Sequence, residues 1–198
     1  MIRLMRLCLP FCAAAVLLVA GETIPTLPAG TFAIDSAQTK VEFTLSDVLH
    51  TVHGTFHLTS GTLRLDAATG KASGELVVDA RTGDSGSPAR DKRMHANILE
   101  SGKYPQIVFR PDRVEGKLAV EGKSQVQLHG MFAIHGAEHE VTVPASVDAE
   151  DGRYSVTTTF KVPYVKWGMK NPSNLILRVS DTVEITVHTV ARATIASR

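Results

Sequence analysis

The stretch Lys40-Val41-Glu42-Phe43-Thr44-Leu45-Ser46 decides the fold class, because apolar Val41, Phe43 and Leu45 alternate strictly with polar neighbours. Successive side chains of a strand point to opposite faces, so this period of two gives one face to a core and the other to water. The same rhythm returns at Phe56 and Leu58, Leu63 and Leu65, Leu76 and Val78, then along Val126, Leu128, Gly130, Phe132 and Ile134, and again at Val183, Ile185 and Val187. The intervening residues are mostly Thr, Glu, Asp, Gln, Ser, Arg or His. Gly54, Gly61, Gly70, Gly83, Gly116, Gly122, Gly136 and Gly152 read as turn punctuation between short strands. A chain that keeps one apolar face through so many strands closes a sheet around something. The expected class is all-β, an antiparallel barrel of about eight strands, whose interior is wide enough for side chains or one small ligand.

The amino terminus has a different character. MIRLMR carries Arg3 and Arg6 and no acid, and LCLPFCAAAVLLVA follows, an apolar run shorter than the roughly 20 residues that a spanning helix needs. This is the pattern of a secretory signal over residues 1–21, with cleavage near Glu22 after Val19-Ala20-Gly21, which predicts a periplasmic or secreted protein and a mature chain without a membrane span. Both cysteines, Cys8 and Cys12, lie inside that segment, so the exported chain folds without disulfides. Without Arg3 and Arg6 the 21 basic residues become 19 against 20 acidic, a net charge of minus one. That balance gives no basic stripe for nucleic acid or for an anionic membrane surface. Residues 22–198 are expected to form a single domain, and a homodimer is compatible with it.

The alternation breaks only between Ser87 and Ser101. Ser87-Pro88 is a helix start, with Ser as N-cap and Pro at the first helical position, and good helix formers run from Ala89 to Leu99 before Ser101-Gly102. A helix over about 88–100 places Met94, Ile98 and Leu99 on one side and Arg90, Lys92 and Arg93 toward solvent. A lone amphipathic helix in such a chain covers an opening, so the reading becomes a lipocalin-like barrel with the helix near its mouth.

The residues also resemble a known family. Ala33-Ile34-Asp35, Lys40-Val41-Glu42-Phe43, His53-Gly54-Thr55-Phe56 and Ser60-Gly61-Thr62-Leu63 are similar to the opening of YceI-like proteins. Arg90-Asp91, Lys103-Tyr104-Pro105, Ile107-Val108-Phe109, Leu128-His129-Gly130, Ile134-His135-Gly136 and the closing Val179-Ser180-Asp181-Thr182-Val183-Glu184-Ile185 keep that family's order. The chain differs in having Ile98 and Leu99 where the family tends to have two aromatic residues, and His95 where a basic residue is more usual. The resemblance implies a lipocalin-like periplasmic barrel that binds a polyisoprenoid or other amphiphilic lipid without catalysis. It requires no cofactor, and an isoprenoid lipid or quinone-like amphiphile is the expected ligand.

An isoprenoid tail is methyl, methylene and vinyl surface, which an apolar wall holds by excluding water. Candidate ligand-lining residues are Phe43, Leu45, Phe56, Leu58, Phe109, Leu128, Phe132, Ile134 and Phe160, with Trp167 near a rim. Two other chemistries compete. His50, His53 and His57 invite a metal, but on a strand His53 and His57 lie some 13 Å apart, at about 3.3 Å per residue, too far to share an ion without a bend. His135 and His139 flank a turn and form a second, weaker cluster. Gly83-Asp84-Ser85-Gly86-Ser87-Pro88 is similar to a serine-protease nucleophile segment, yet it leads into a helix and shows no base or oxyanion donors. The remaining alternatives to a lipid carrier are a hydrolase or isomerase using His53, His57 or His95 with an acid, and a barrel filled by its own side chains that works through a surface partner.

Overall fold

The computed structural model of the chain describes residues 29–46, 50–66, 69–174 and 178–195. The signal segment, its cleavage site and both cysteines lie outside the described residues. The strands are β1 (Gly30–Ile34), β2 (Lys40–Ser46), β3 (Thr51–Asp66), β4 (Lys71–Asp84), β5 (Gln106–Gly116), β6 (Gly122–Ile134), β7 (Ala137–Glu150), β8 (Arg153–Val162) and β9 (Val183–Ile195). Consecutive strands from β2 to β9 pair antiparallel, and β9 pairs back onto β2 from Lys40↔His188 to Thr44↔Glu184. The short β1 continues the slot of β2, lying between Ala191–Ile195 of β9 and Thr62–Leu65 of β3. The sheet is thus a closed eight-stranded up-and-down barrel whose first strand is broken once, as the alternation predicts.

The break is a turn of 3₁₀ helix, Ser36–Gln38. Asp35 caps it: its carboxylate accepts from the N–H groups of Ala37 and Gln38, at 3.0 and 3.3 Å, and its own N–H donates to the Val190 carbonyl at 2.9 Å. The strand leaves the ladder for five residues without losing its neighbours.

Two irregularities keep the apolar residues inside where simple alternation would turn them out. In β3, Leu58 and Leu63 are an odd number of residues apart, yet both are buried. Leu58 pairs with Val78 and Ser60 with Val77, so Thr59 is an extra residue that resets the parity. In β5, Pro111 pairs with Gly130 and Arg113 with His129, and Asp112 is the extra residue that lets Phe109 and Val114 share the inner face.

The glycines divide into two kinds. His135-Gly136 and Asp151-Gly152 hold successive positive φ values of 52° and 77°, and 50° and 71°, which make the tight hairpins β6–β7 and β7–β8. Gly54, Gly61 and Gly83, expected at turns, lie inside β3 and β4 instead. Their reason is packing. A Cβ on Gly54 would sit 2.3 Å from the Phe43 ring and 2.4 Å from the Asp84 carbonyl oxygen, and one on Gly83 would sit 2.6 Å from the Phe56 ring and 2.7 Å from the Met94 methyl. Gly54 and Gly83 each leave the space in which an inward aromatic ring lies, and Gly61 leaves room for the Ile34 side chain, 2.8 Å from where its Cβ would be.

The helical insertion is shorter and wider than its composition predicts. An α-helix, α1, spans Pro88–Arg93 and passes into a π-helical turn over Met94–Ile98, where the Leu99 N–H reaches back to the Met94 carbonyl at 2.9 Å. Ser87 occupies the N-cap position without a side-chain bond, and Asp91 ties the start instead by accepting from the Ser85 N–H at 3.0 Å and from its hydroxyl.

Replacing Gly54 by Ala forces a Cβ into the Phe43 ring and is expected to destabilise the barrel by about 1–3 kcal/mol. Gly102→Ala, where a Cβ meets nothing within 4 Å, serves as the control and should change stability by less than about 0.5 kcal/mol. Urea unfolding of both variants measures the difference.

Candidate functional site

The inward faces do not meet. They enclose a cavity of about 560 Å³, within the range of small-molecule sites, that runs nearly the length of the barrel. At the end where β1 begins and β9 ends it is closed by Phe32, Leu63, Val126 and Tyr154, with Leu118 folded inward from the β5–β6 connection. The Phe32 and Tyr154 rings meet edge to face there, with centroids 5.1 Å apart. At the other end the cavity reaches Met94, Ile98 and Leu99 beneath the helical insertion, and Tyr164, Met169, Pro172 and Val179 from the β8–β9 connection. Ile98, Leu99, Tyr164 and Met169 pack in one cluster, so the two connections form a common cover.

Nine of the ten sequence-derived lining residues, Phe43, Leu45, Phe56, Leu58, Phe109, Leu128, Phe132, Ile134 and Phe160, line this cavity. Trp167 does not. It is half-buried in the turn after β8, 5.8 Å from the Phe132 ring centroid, and lies flat on His139 with centroids 4.0 Å apart and planes 3° from parallel. The His139 Nε2 is buried without a hydrogen-bond partner among the described residues, and burial lowers the imidazole pKa. A ring held this way is neutral and serves as an apolar plate against Trp167.

The wall contributed by β7 was absent from the sequence-derived set, and of the β8 wall the set held only Phe160. Val143, Ala145 and Val147 line one, and Val156, Thr158 and Val162 the other. Their alternation is regular, but Ala and Thr weaken the apolar signal on which that reading relied.

Hydroxyls on the wall are turned away from the lumen by internal bonds. Thr158 donates to the Pro144 carbonyl at 2.6 Å, Thr189 shares a 2.6 Å bond with Thr39, and Tyr164 donates to the Ser180 carbonyl at 2.7 Å. Burial pushes the Tyr164 phenol up to about 12, so it stays a neutral donor. What the lumen offers is therefore almost entirely hydrocarbon, and the barrel is not filled by its own side chains.

Polar groups gather only under the cover. Arg90 donates from Nε to the Ser85 hydroxyl at 2.7 Å and from Nη2 to the Ser85 carbonyl at 2.9 Å. The His95 ring bonds the Gly83 carbonyl through Nε2 at 2.9 Å and the Ser101 hydroxyl through Nδ1 at 3.0 Å. Ser85 thus faces Asp91 and Arg90 and has no histidine as a base, and both nitrogens of His95 are used to hold the insertion to β4. The protease-like segment is a loop anchor. Arg90 and Arg93, expected to point only to solvent, are exposed and also border the cavity.

His53 and His57 sit on the outer face of β3, where His53 Nδ1 meets the Thr44 hydroxyl at 3.2 Å. His135 packs on the Tyr104 ring at 4.8 Å, whereas His139 takes Trp167, so the two do not converge. Among the described residues no group of three or more His, Cys, Asp or Glu side chains is placed to hold a metal ion. None of the described helices is long and apolar enough to cross a membrane.

Comparison with known proteins supplies the family. The BcnA crystal structure from Burkholderia cenocepacia superposes with a TM-score of 0.65 at 19% identity, covering 79% of this chain and 98% of that one. A polyisoprenoid binding domain from Saccharophagus degradans, implicated in plant cell wall breakdown, gives 0.64 at 17% identity, covering 82% and 98%. The Campylobacter jejuni YCEI protein gives 0.53 at 11% identity, covering 94% of each chain. At these identities the likeness establishes the barrel alone. No curated protein matches the sequence significantly. The YceI-like domain profile, however, matches residues 32–191, from the first barrel strand into the last, and on that extent the chain belongs to the YceI-like domain family.

Proposed function

We propose that the protein binds an isoprenoid or similar amphiphilic lipid inside its barrel, without catalysis, and that it sequesters or carries that lipid in the bacterial cell envelope. The observation that carries the reading is the elongated lumen of about 560 Å³ whose wall is nearly all aliphatic and aromatic. The similarity to a polyisoprenoid binding domain and the family membership support it. Phe43, Leu45, Phe56, Leu58, Phe109, Leu128, Phe132, Ile134 and Phe160 are the proposed contacts.

The energetics favour a hydrocarbon tail. At about 0.8 kcal/mol per buried methylene, each five-carbon unit contributes roughly 3–4 kcal/mol gross. Four or five units already approach the ceiling of about 18–21 kcal/mol for noncovalent affinity before ordering costs are subtracted. Such a wall measures the girth and length of its ligand and reads little else. The proposed envelope location rests on the charged start and short apolar run of residues 1–21, with residues 22–198 as the exported domain.

Organic extraction of natively exported protein, followed by mass spectrometry, is expected to release close to one long-chain lipid per chain. Phe132→Asp places a carboxylate in the apolar wall and should abolish retention in a protein that still folds; retention by the folded variant would refute the assigned contacts. In the same exported sample, the intact mass should show a chain beginning near Glu22, and a full-length mass would overturn the export reading.

A further inference from the structure

We propose that the outer surface of the cover is a docking face for an anionic lipid membrane, on which the barrel stands with its mouth down. The proposal goes beyond the binding of a lipid in the lumen, because it concerns the opposite side of the cover. A net charge near zero offers no basic face, but the fold does not spread that charge evenly. Two connections build the cover, residues 85–105 between β4 and β5 and residues 163–182 between β8 and β9. The first carries Arg90, Lys92, Arg93 and Lys103 against Asp91 and Glu100, and the second carries Lys166, Lys170 and Arg178 against Asp181. All of these bases are exposed. At the closed end, the connections 67–70, 117–121 and 151–152 carry Lys117 against Glu121 and Asp151. The barrel is therefore polarised along its axis, positive at the mouth.

The charges of the cover are not spent on the protein itself. Among the described residues, none of its lysines and arginines is in an ion pair, whereas on the outer wall Lys40, Arg81, Arg110 and Arg113 pair with Glu42, Asp79, Glu138 and Glu115. The acids of the cover are turned elsewhere: Asp91 accepts from the Ser85 N–H at 3.0 Å, Glu100 lies 3.7 Å from the His135 ring, and Asp181 accepts from the Thr182 hydroxyl at 3.2 Å.

The same end presents apolar surface among the charges. Val165 and Trp167, both half-buried, flank the exposed Lys166 in the β8–β9 connection. An indole beside lysines is a set that settles at the headgroup level of a bilayer, the ring at the apolar boundary and the ammonium groups among the phosphates. Basic residues held near an anionic leaflet each add to the attraction, and the effect fades within a Debye length. A nucleic acid would meet the charges alone. A bilayer meets the charges and the indole, and it lies against the end from which the lumen is reached.

Flotation of the exported protein with phosphatidylcholine vesicles, prepared with and without phosphatidylglycerol, tests the face. Association is expected only with the anionic vesicles and should fall as salt is raised, since exposed charges are screened. Lys92→Glu with Lys166→Glu and Lys170→Glu, none of which lines the cavity, should weaken partitioning by at least about tenfold. Lys71→Glu with Lys117→Glu and Lys123→Glu changes the net charge equally but near the closed end, and should leave partitioning nearly unchanged. Trp167, the single tryptophan, reports the orientation, because brominated phosphatidylglycerol should quench its fluorescence on docking.

Absence of any preference for the anionic vesicles, or equal losses in the two triple variants, would overturn the docking face. Association that leaves Trp167 unquenched would overturn the mouth-down orientation. Neither result touches the lumen, whose lipid is read separately by extraction of the same protein.

Discussion

Everything in this barrel depends on one contact, the pairing of the last strand with the first. Once β9 hydrogen-bonds along Lys40–Thr44 and Gly30–Ile34, strands β2 to β9 have a neighbour on each side and the sheet has an inside. The first strand must serve both ends of that seam, and it does so by breaking at Asp35. The aspartate cap and the bond from its N–H to Val190 keep the five bridging residues attached to β9 while they leave the ladder. A closed sheet satisfies its backbone polar groups without using the interior, so the interior is free to be hydrocarbon.

Whether such an interior is packed or hollow depends on side-chain volume against circumference. Rings at Phe43, Phe56, Phe132 and Phe160 are large, but they lie against the wall: Phe43 occupies the space left by Gly54, and Phe56 the space left by Gly83. Phe132 packs on Phe160 and on Trp167, each with ring centroids 5.8 Å apart, and Trp167 in turn lies on His139. The aromatic groups form two pairs on opposite sides of the barrel, Phe43 with Phe56 on β2 and β3 and Phe132 with Phe160 on β6 and β8, and the two pairs fall in separate clusters. Alanine at 145 and threonine at 158, small residues paired across the neighbouring strands β7 and β8, leave the wall thin there.

The barrel was legible in the alternation because a closed sheet repeats one physical demand on every strand. Nine lining residues followed from it, since burial on one face is the same constraint seen at each ladder. What escaped was local. The bulges at Thr59 and Asp112 join apolar runs of opposite parity, and alternation alone takes such runs for separate strands. Gly54, Gly61 and Gly83 resemble turn glycines until the side chains that need their space, Phe43, Ile34 and Phe56, are brought in from the paired strands. Trp167 belongs to a connection with no periodicity, so its packing on His139 had no signal along the chain. The cationic character of the mouth was hidden for another reason: a net charge near zero averages over the whole surface, whereas α1 delivers two arginines to one rim.

The pairing of β9 onto the first strand has a further consequence for how the proposed lipid would enter and leave. A barrel without an edge has no lateral slit, and parting two strands to let a tail escape sideways would break a run of backbone bonds at once. Passage must instead be axial, past the insertion held by Ser85, Asp91 and His95. For the proposed lipid, residence time would be set by a handful of side-chain bonds in one small cover, and exchange would be tuned by changes there with the melting behaviour of the surrounding sheet left alone.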